Sequence, residues 1–316
     1  MKNNSKHNKV VAIGFLFVLI CLQATFSEAD RPYPLRVSVS ILPQVYFVER
    51  IGGDNVLVDV LVLPGRSPAT YAPNPAQISN LAKSDVYFRM GVPFENLLVP
   101  RLGSVAANLL VVDTRKGIQL RKMRTGHHEH KGGQAVHRVL EATQKTEHSQ
   151  DGEGHDPHIW LDPNLVKQQA ATICDALIQL DPEGEPAYRS NLETFVADLE
   201  ALHQKLRQVL NPFAGENFYV FHPSFGYLAD AYKLRQVPIE IEGKAPKGKD
   251  LYQFIKMVKS SNARIVFVQP QFDQQTARKI ASAIQGAVIP LDPLAGNYME
   301  NMAYMASKIA EAMGRQ

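Results

Sequence analysis

Three short segments place side chains suited to metal binding where loops meet regular structure. His155-Asp156-Pro157-His158-Ile159-Trp160-Leu161-Asp162-Pro163 ends on Asp162-Pro163, an N-cap residue followed by a favoured first helical residue, so His158 stands just before a helix. Phe221-His222-Pro223-Ser224-Phe225-Gly226 sets His222 at the carboxyl end of a β-rich run, and Val288-Ile289-Pro290-Leu291-Asp292-Pro293-Leu294 does the same for Asp292. Imidazole nitrogen suits borderline cations such as Zn2+ or Cu2+, and an aspartate adds a charged oxygen. Each segment alone stays open to a plainer reading, since a His before Pro is commonly a turn residue and Asp-Pro a common helix start.

Histidine is also unevenly spread. Six of the ten lie between His127 and His155, in a stretch rich in Gly, Gln, Lys and Glu. Segment 124–155 has no hydrophobic period and few large apolar residues, so it reads as a mobile loop. Its imidazoles can capture metal weakly, or they are incidental to a solvated insertion. The entropy of ordering such a loop keeps it from being a high-affinity site by itself. The two cysteines are Cys21, in an N-terminal leader, and Cys174. No intramolecular disulfide follows, and metal ligands are expected among His, Asp and Glu.

These candidates need elements to hold them. β-rich runs occur at Arg36 to Ser40, Val56 to Leu63, Val86 to Phe88 and Leu109 to Val112, with helix-like stretches between several of them. After residue 211 the pattern resumes at Phe218 to Phe221, Val237 to Ile241, Ile265 to Val268 and Val288 to Leu291, with helices near 250–260, 274–285 and 297–313. Two α/β lobes with central sheets are predicted. In open α/β sheets ligands gather at the carboxyl ends of strands, so residues of both lobes can converge on a cleft. Between the lobes, Tyr188, Leu192, Phe195, Leu199, Leu202, Leu206 and Val209 alternate spacings of four and three and make one apolar face. Pro186 suits the first turn and Pro212 stops the helix, which should run about 25 residues, or ~37 Å. A coiled-coil dimer is the weaker reading of this stripe, because sustained flanking charge pairs are missing.

The N-terminus carries Lys2, Lys6 and Lys9, the apolar run Val10 to Leu22, and small residues Ser27 and Ala29. That is a signal peptide cleaved after Ala29, because the run is shorter than the roughly 20 residues a spanning helix needs. Ile20 before Cys21 argues against lipidation. The formal charge of the whole chain is +3. Removing the leader, with its three lysines and Glu28, brings it close to neutral, which suggests neither nucleic acid nor a membrane surface as partner. The predicted organisation is a signal peptide 1–29, an N-terminal lobe 30–182 carrying the His-rich loop 124–155, an interdomain helix 183–211, and a C-terminal lobe 212–316.

Further stretches join the metal-suited segments in one order along the chain: Leu63-Pro64-Gly65 with Pro68, Tyr71 and Pro73-Asn74-Pro75, then Ile241-Glu242-Gly243-Lys244. Together they resemble the zinc- and manganese-binding, TroA-like solute-binding proteins of metal ABC importers. The resemblance implies a bilobal α/β fold joined by one long rigid interdomain helix, with modest lobe motion. It implies His158 and His222 as metal ligands, Asp292 as the carboxylate ligand, and Zn2+ as the transported ion, with Mn2+ or Fe2+ less favoured. A periplasmic monomer is implied, delivering its ion to a membrane permease and having no enzymatic activity. No Gly-x-x-x-x-Gly-Lys-Ser/Thr sequence is present, so ATP hydrolysis falls to a separate subunit.

One departure matters. The family usually carries a first His ligand in a Pro-His-x-Tyr pattern, where this chain reads Pro68-Ala69-Thr70-Tyr71. A closed tetrahedral zinc site takes four donors. The fourth is left to a second oxygen of Asp292, a water, His155 or another loop imidazole, or an unidentified oxygen. Two histidines, a carboxylate and an open position also describe many zinc hydrolases, for which Glu242 is the nominated base, although no His-Glu-x-x-His occurs. A metal-binding surface adhesin is the third reading.

Overall fold

The β-rich runs and helical stretches alternate along the chain, and among the described residues every strand pairs in parallel. The computed structural model describes residues 34–123, 154–240, 248–260, 264–272 and 274–314. In the first lobe, β1 (Leu35–Val39), α1 (Leu42–Gly52), β2 (Val56–Val60), α2 (Pro75–Leu81), β3 (Val86–Arg89), α3 (Glu95–Val105) and β4 (Leu110–Asp113) are followed by α4 (Pro163–Leu180). Helix α5 (Glu185–Leu210) leads into the second lobe. There β5 (Asn217–Val220), α6 (Gly226–Ala231), β6 (Arg235–Pro238), α7 (Gly248–Ser260), β7 (Ile265–Val268), α8 (Gln274–Ala283), β8 (Ala287–Pro290) and α9 (Tyr298–Met313) complete the chain.

The sheets repeat one topology, β2-β1-β3-β4 and β6-β5-β7-β8. Strand order reverses between β1 and β3 in the first and between β5 and β7 in the second, which opens a crevice at the carboxyl ends there. Both faces of the second sheet are apolar, as a covered parallel sheet requires. Phe218, Val220, Ile265 and Phe267 face the main core, while Tyr219, Val266 and Val268 pack with Phe254, Val258 and Ile280 of α7 and α8.

Helix α5 is 26 residues long, close to the predicted length. Tyr188, Phe195, Leu199, Leu202 and Leu206 of the expected stripe are buried, joined by Leu210, while Leu192 and Val209 are partly buried. The stripe packs on α4, α9 and α1. It is therefore covered within the chain, and one continuous apolar core runs from the first sheet across α5 to α9. The His-rich segment, apart from Gly154 and His155, lies outside the described residues, as do residues 1–33, where a leader is expected. Among the described residues no helix is long and apolar enough to cross a membrane.

Candidate metal centre

His158 is placed by its own loop. The Asp156 carboxylate accepts the backbone N–H of His158 at 3.0 Å through Oδ1, an Asx turn, and the same oxygen lies 2.7 Å from His158 Nδ1. A helical turn over Ile159–Leu161 follows, and Asp162 caps α4 by accepting from Asn164 N at 2.9 Å. Trp160 anchors this loop to the other lobe. Its indole Nε1 donates to the Pro293 carbonyl at 2.7 Å, and the Tyr298 hydroxyl donates to the Trp160 carbonyl at 2.8 Å.

His222 follows β5 by two residues and is held from neighbouring strands. Gln269, just past β7, grips its backbone, with Nε2 donating to the His222 carbonyl at 2.8 Å and Oε1 accepting its N–H at 3.3 Å. Glu240 Oε2 lies 2.9 Å from His222 Nδ1. Glu240 reaches this place because its N–H donates to the Phe221 carbonyl, continuing the β5–β6 ladder past Pro238. The imidazole stacks on Phe272, with centroids 4.6 Å apart and planes at 20°.

The two rings meet edge to face, their centroids 5.5 Å apart. Each Nδ1 faces a carboxylate that can only accept, so Nδ1 carries the proton and Nε2 presents its lone pair. Burial holds the His158 imidazole below the ordinary histidine pKa, against the opposing pull of Asp156. Both rings line a cavity of about 370 Å³. Its walls include the carboxyl ends of strands in both lobes, Ser67 to Ala69 after β2, Gly91 to Pro93 after β3, Gln271 and Phe272 after β7, and Pro293 and Leu294 after β8, together with His155 from the segment before α4. Behind the Gly91 wall, buried Glu95 accepts the backbone N–H groups of Met90 and Gly91 and the Ser40 hydroxyl, and burial raises its carboxyl pKa.

Asp292 follows β8, as the sequence predicts, but it is not among the residues lining this cavity. Oδ1 accepts from Gln271 Nε2 at 2.7 Å and from Leu294 N at 3.0 Å. Asp292 lines a separate cavity of about 220 Å³ with Arg66 and Leu42, and Gln271 lines both cavities. Among the described residues no three His, Cys, Asp or Glu side chains gather closely enough to enclose a metal ion. Ala69, where the resemblance calls for histidine, lines the His158–His222 cavity, and so does exposed His155. Glu240, Gln269, Gln271 and Phe272 were not foreseen. Gln269-Pro270-Gln271-Phe272 stands at a strand's carboxyl end, so the rule that found His222 would have found it. Glu242 lies outside the described residues.

Residues 37–312 match the family model described as the periplasmic zinc-uptake complex component A, ZnuA. The chain belongs to this family. It is thus a zinc-binding, extracytoplasmic solute-binding component of a metal ABC importer, and Zn2+ is its cargo. The family is one of transport components rather than enzymes. Among curated relatives, the high-affinity zinc uptake system protein ZnuA of Bacillus subtilis (strain 168) is 26% identical over 292 residues, covering 91% of this chain and 88% of its own. Among solved structures, a ZnuA crystal structure superposes with a TM-score of 0.77 at 38% identity, covering 88% of this chain and 99% of that one. A ZnuA deletion mutant with zinc bound gives 0.76 at 39% identity, covering 88% and 98%.

Proposed function

We propose that the chain takes Zn2+ between its lobes on His158 Nε2 and His222 Nε2, with Asp292 as the carboxylate that joins them once its bond to Gln271 is exchanged. The observation that carries this reading is the pairing of two imidazoles in one cavity, each with Nδ1 tied to a carboxylate and Nε2 left for a cation. A zinc-bound relative of the same fold supports the choice of cargo. Imidazole nitrogen favours Zn2+ over Mn2+ or Fe2+, since manganese prefers oxygen-rich sites. Ala69 supplies no donor, so the remaining coordination falls to water or to His155 at the cavity wall.

The protein acts in the periplasm after loss of residues 1–29, and hands its ion to a membrane permease driven by a separate ATPase. It turns over no substrate. The described carboxylates beside the histidines, Asp156 and Glu240, are each tied to a histidine Nδ1. Metal analysis of the purified mature protein, followed by competitive titration with Zn2+, Mn2+ and Fe2+, tests this reading. Zinc retained under competition is expected, and preferential retention of Mn2+ would overturn the assignment. Loss of zinc uptake on gene deletion, restored by the intact chain, tests the transport role.

A further inference from the structure

We propose that Arg121 is a positioning residue for zinc binding, fixing the imidazole of His158 in one lobe through its grip on helix α6 of the other. The proposal rests on the reading of His158 as a ligand. Asp156 divides its carboxylate between two tasks. Oδ1 holds the backbone and Nδ1 of His158, while Oδ2 accepts from Arg121 Nη1 at 3.1 Å. Asp156 is wholly buried, and 17% of the Arg121 side chain is exposed. The Arg121 carbonyl also accepts the Asp156 N–H at 2.9 Å, so one backbone bond and one side-chain bond tie Asp156 to this residue.

The second lobe closes the ring. The Tyr227 hydroxyl on α6 accepts from Arg121 N at 3.0 Å and donates to the Asp156 carbonyl at 3.0 Å. The guanidinium carbon lies 5.7 Å from the centroid of the Tyr227 ring. Arg121 Nε is 3.0 Å from Asp230 Oδ2 but not aligned for a hydrogen bond, so this contact is an ion pair only. Asp230 is 63% exposed and adds little, because water screens such pairs. At Gly226, the start of α6, an added Cβ would come within 1.3 Å of Arg121 Nη1. The backbone of α6, four residues beyond His222, therefore sits directly on the guanidinium that orients Asp156.

Without Arg121, Oδ2 of Asp156 loses its charged partner where water cannot replace it. The carboxylate then turns more freely, and Oδ1 no longer holds His158 Nε2 toward the cavity. Loss of such an outer partner typically costs 10- to 100-fold in metal affinity. Arg121 acts one bond further out, so the lower end applies.

Competitive zinc titration of Arg121→Met in three backgrounds tests the proposal. A loss of about tenfold is expected in the otherwise wild-type protein and in His222→Ala, with no further loss in His158→Ala, because the residue acts through His158. Arg121→Lys, which keeps the charge without the fork, should recover part of the loss. A tenfold loss that persists in His158→Ala would reveal a general structural role and overturn the proposal, as would wild-type affinity in Arg121→Met. If His158→Ala itself retained wild-type affinity, the ligand reading would fail as well, so the two failures are distinct. Should Arg121→Met not fold, Tyr227→Phe deletes one hydroxyl of the same ring; it should cost about threefold, with the same dependence on His158.

Discussion

The two histidines of the cavity are held in opposite ways. His158 takes its carboxylate from two residues away in its own loop, and its ring is buried. His222 takes its carboxylate from Glu240, 18 residues on at the end of the neighbouring strand, and is further fixed by Gln269 and Phe272 from a third strand end. One histidine is thus organised by a local turn, the other by sheet register. A register-built site requires β5, β6 and β7 all to be in place.

The largest effects should come from the rings themselves. His158→Ala and His222→Ala each remove a proposed zinc ligand and should weaken zinc binding more than about a hundredfold, beyond what an outer partner costs. The apo fold should survive both, as circular dichroism and thermal denaturation would show. Wild-type affinity in either variant would break the pairing on which the comparison stands.

The carboxylates sharpen it. Asp156→Asn and Glu240→Gln should each cost between about 10- and 100-fold in zinc affinity. They should differ in stability. Asp156→Asn also strips Arg121 of a buried charged partner and should lower apo stability by about 2 kcal/mol in urea denaturation. Glu240→Gln should lower it less, because Glu240 meets the His222 ring and, among the described residues, no lysine or arginine. Equal destabilisation would mean that the two sites are held alike.

A smaller change is expected at the cavity wall. Ala69→His adds an imidazole to the cavity that already holds the two rings, and should tighten zinc binding roughly tenfold, or ~1.4 kcal/mol. A greater gain in a variant lacking residues 124–154 than in the intact chain would mean that the His-rich segment already supplies a donor. A double-mutant cycle of wild type, each single change and both together, followed by calorimetry, measures that coupling. Strict additivity would assign the remaining position to water or Asp292.

The gentlest test is pH. Burial depresses the folded-state pKa of His158, so the unfolded chain binds more protons in mild acid. The stabilisation from keeping this ring neutral is present above the unfolded value near ~6.5 and is lost as pH falls from there through the depressed folded value. Apo stability measured between pH 8 and pH 5 should therefore decline on the acid side, and less steeply in His158→Ala. Parallel profiles would show that His158 does not carry the slope.

Much of this was legible in the residues themselves. Apolar spacing fixed α5 to within a residue or two, because one long stripe admits a single helical register. β-rich runs placed the eight described strands, the Asp162-Pro163 cap put His158 just before a helix, and strand ends placed His222 and Asp292. Strand limits moved by a few residues: β6 spans Arg235–Pro238 where Val237 to Ile241 was expected, since ladder pairing with β5 decides where a strand starts. What only the tertiary structure decided is which groups face one another. Asp156 beside His158 follows from a turn two residues long, whereas Glu240 beside His222 depends on the register of β6 against β5. The bond from Gln271 to Asp292, which lines a separate cavity, depends on how the loops after β7 and β8 pack. Periodicity and capping are short-range and written in consecutive residues, but side chains brought together from separate strand ends obey pairing and packing that no local pattern records.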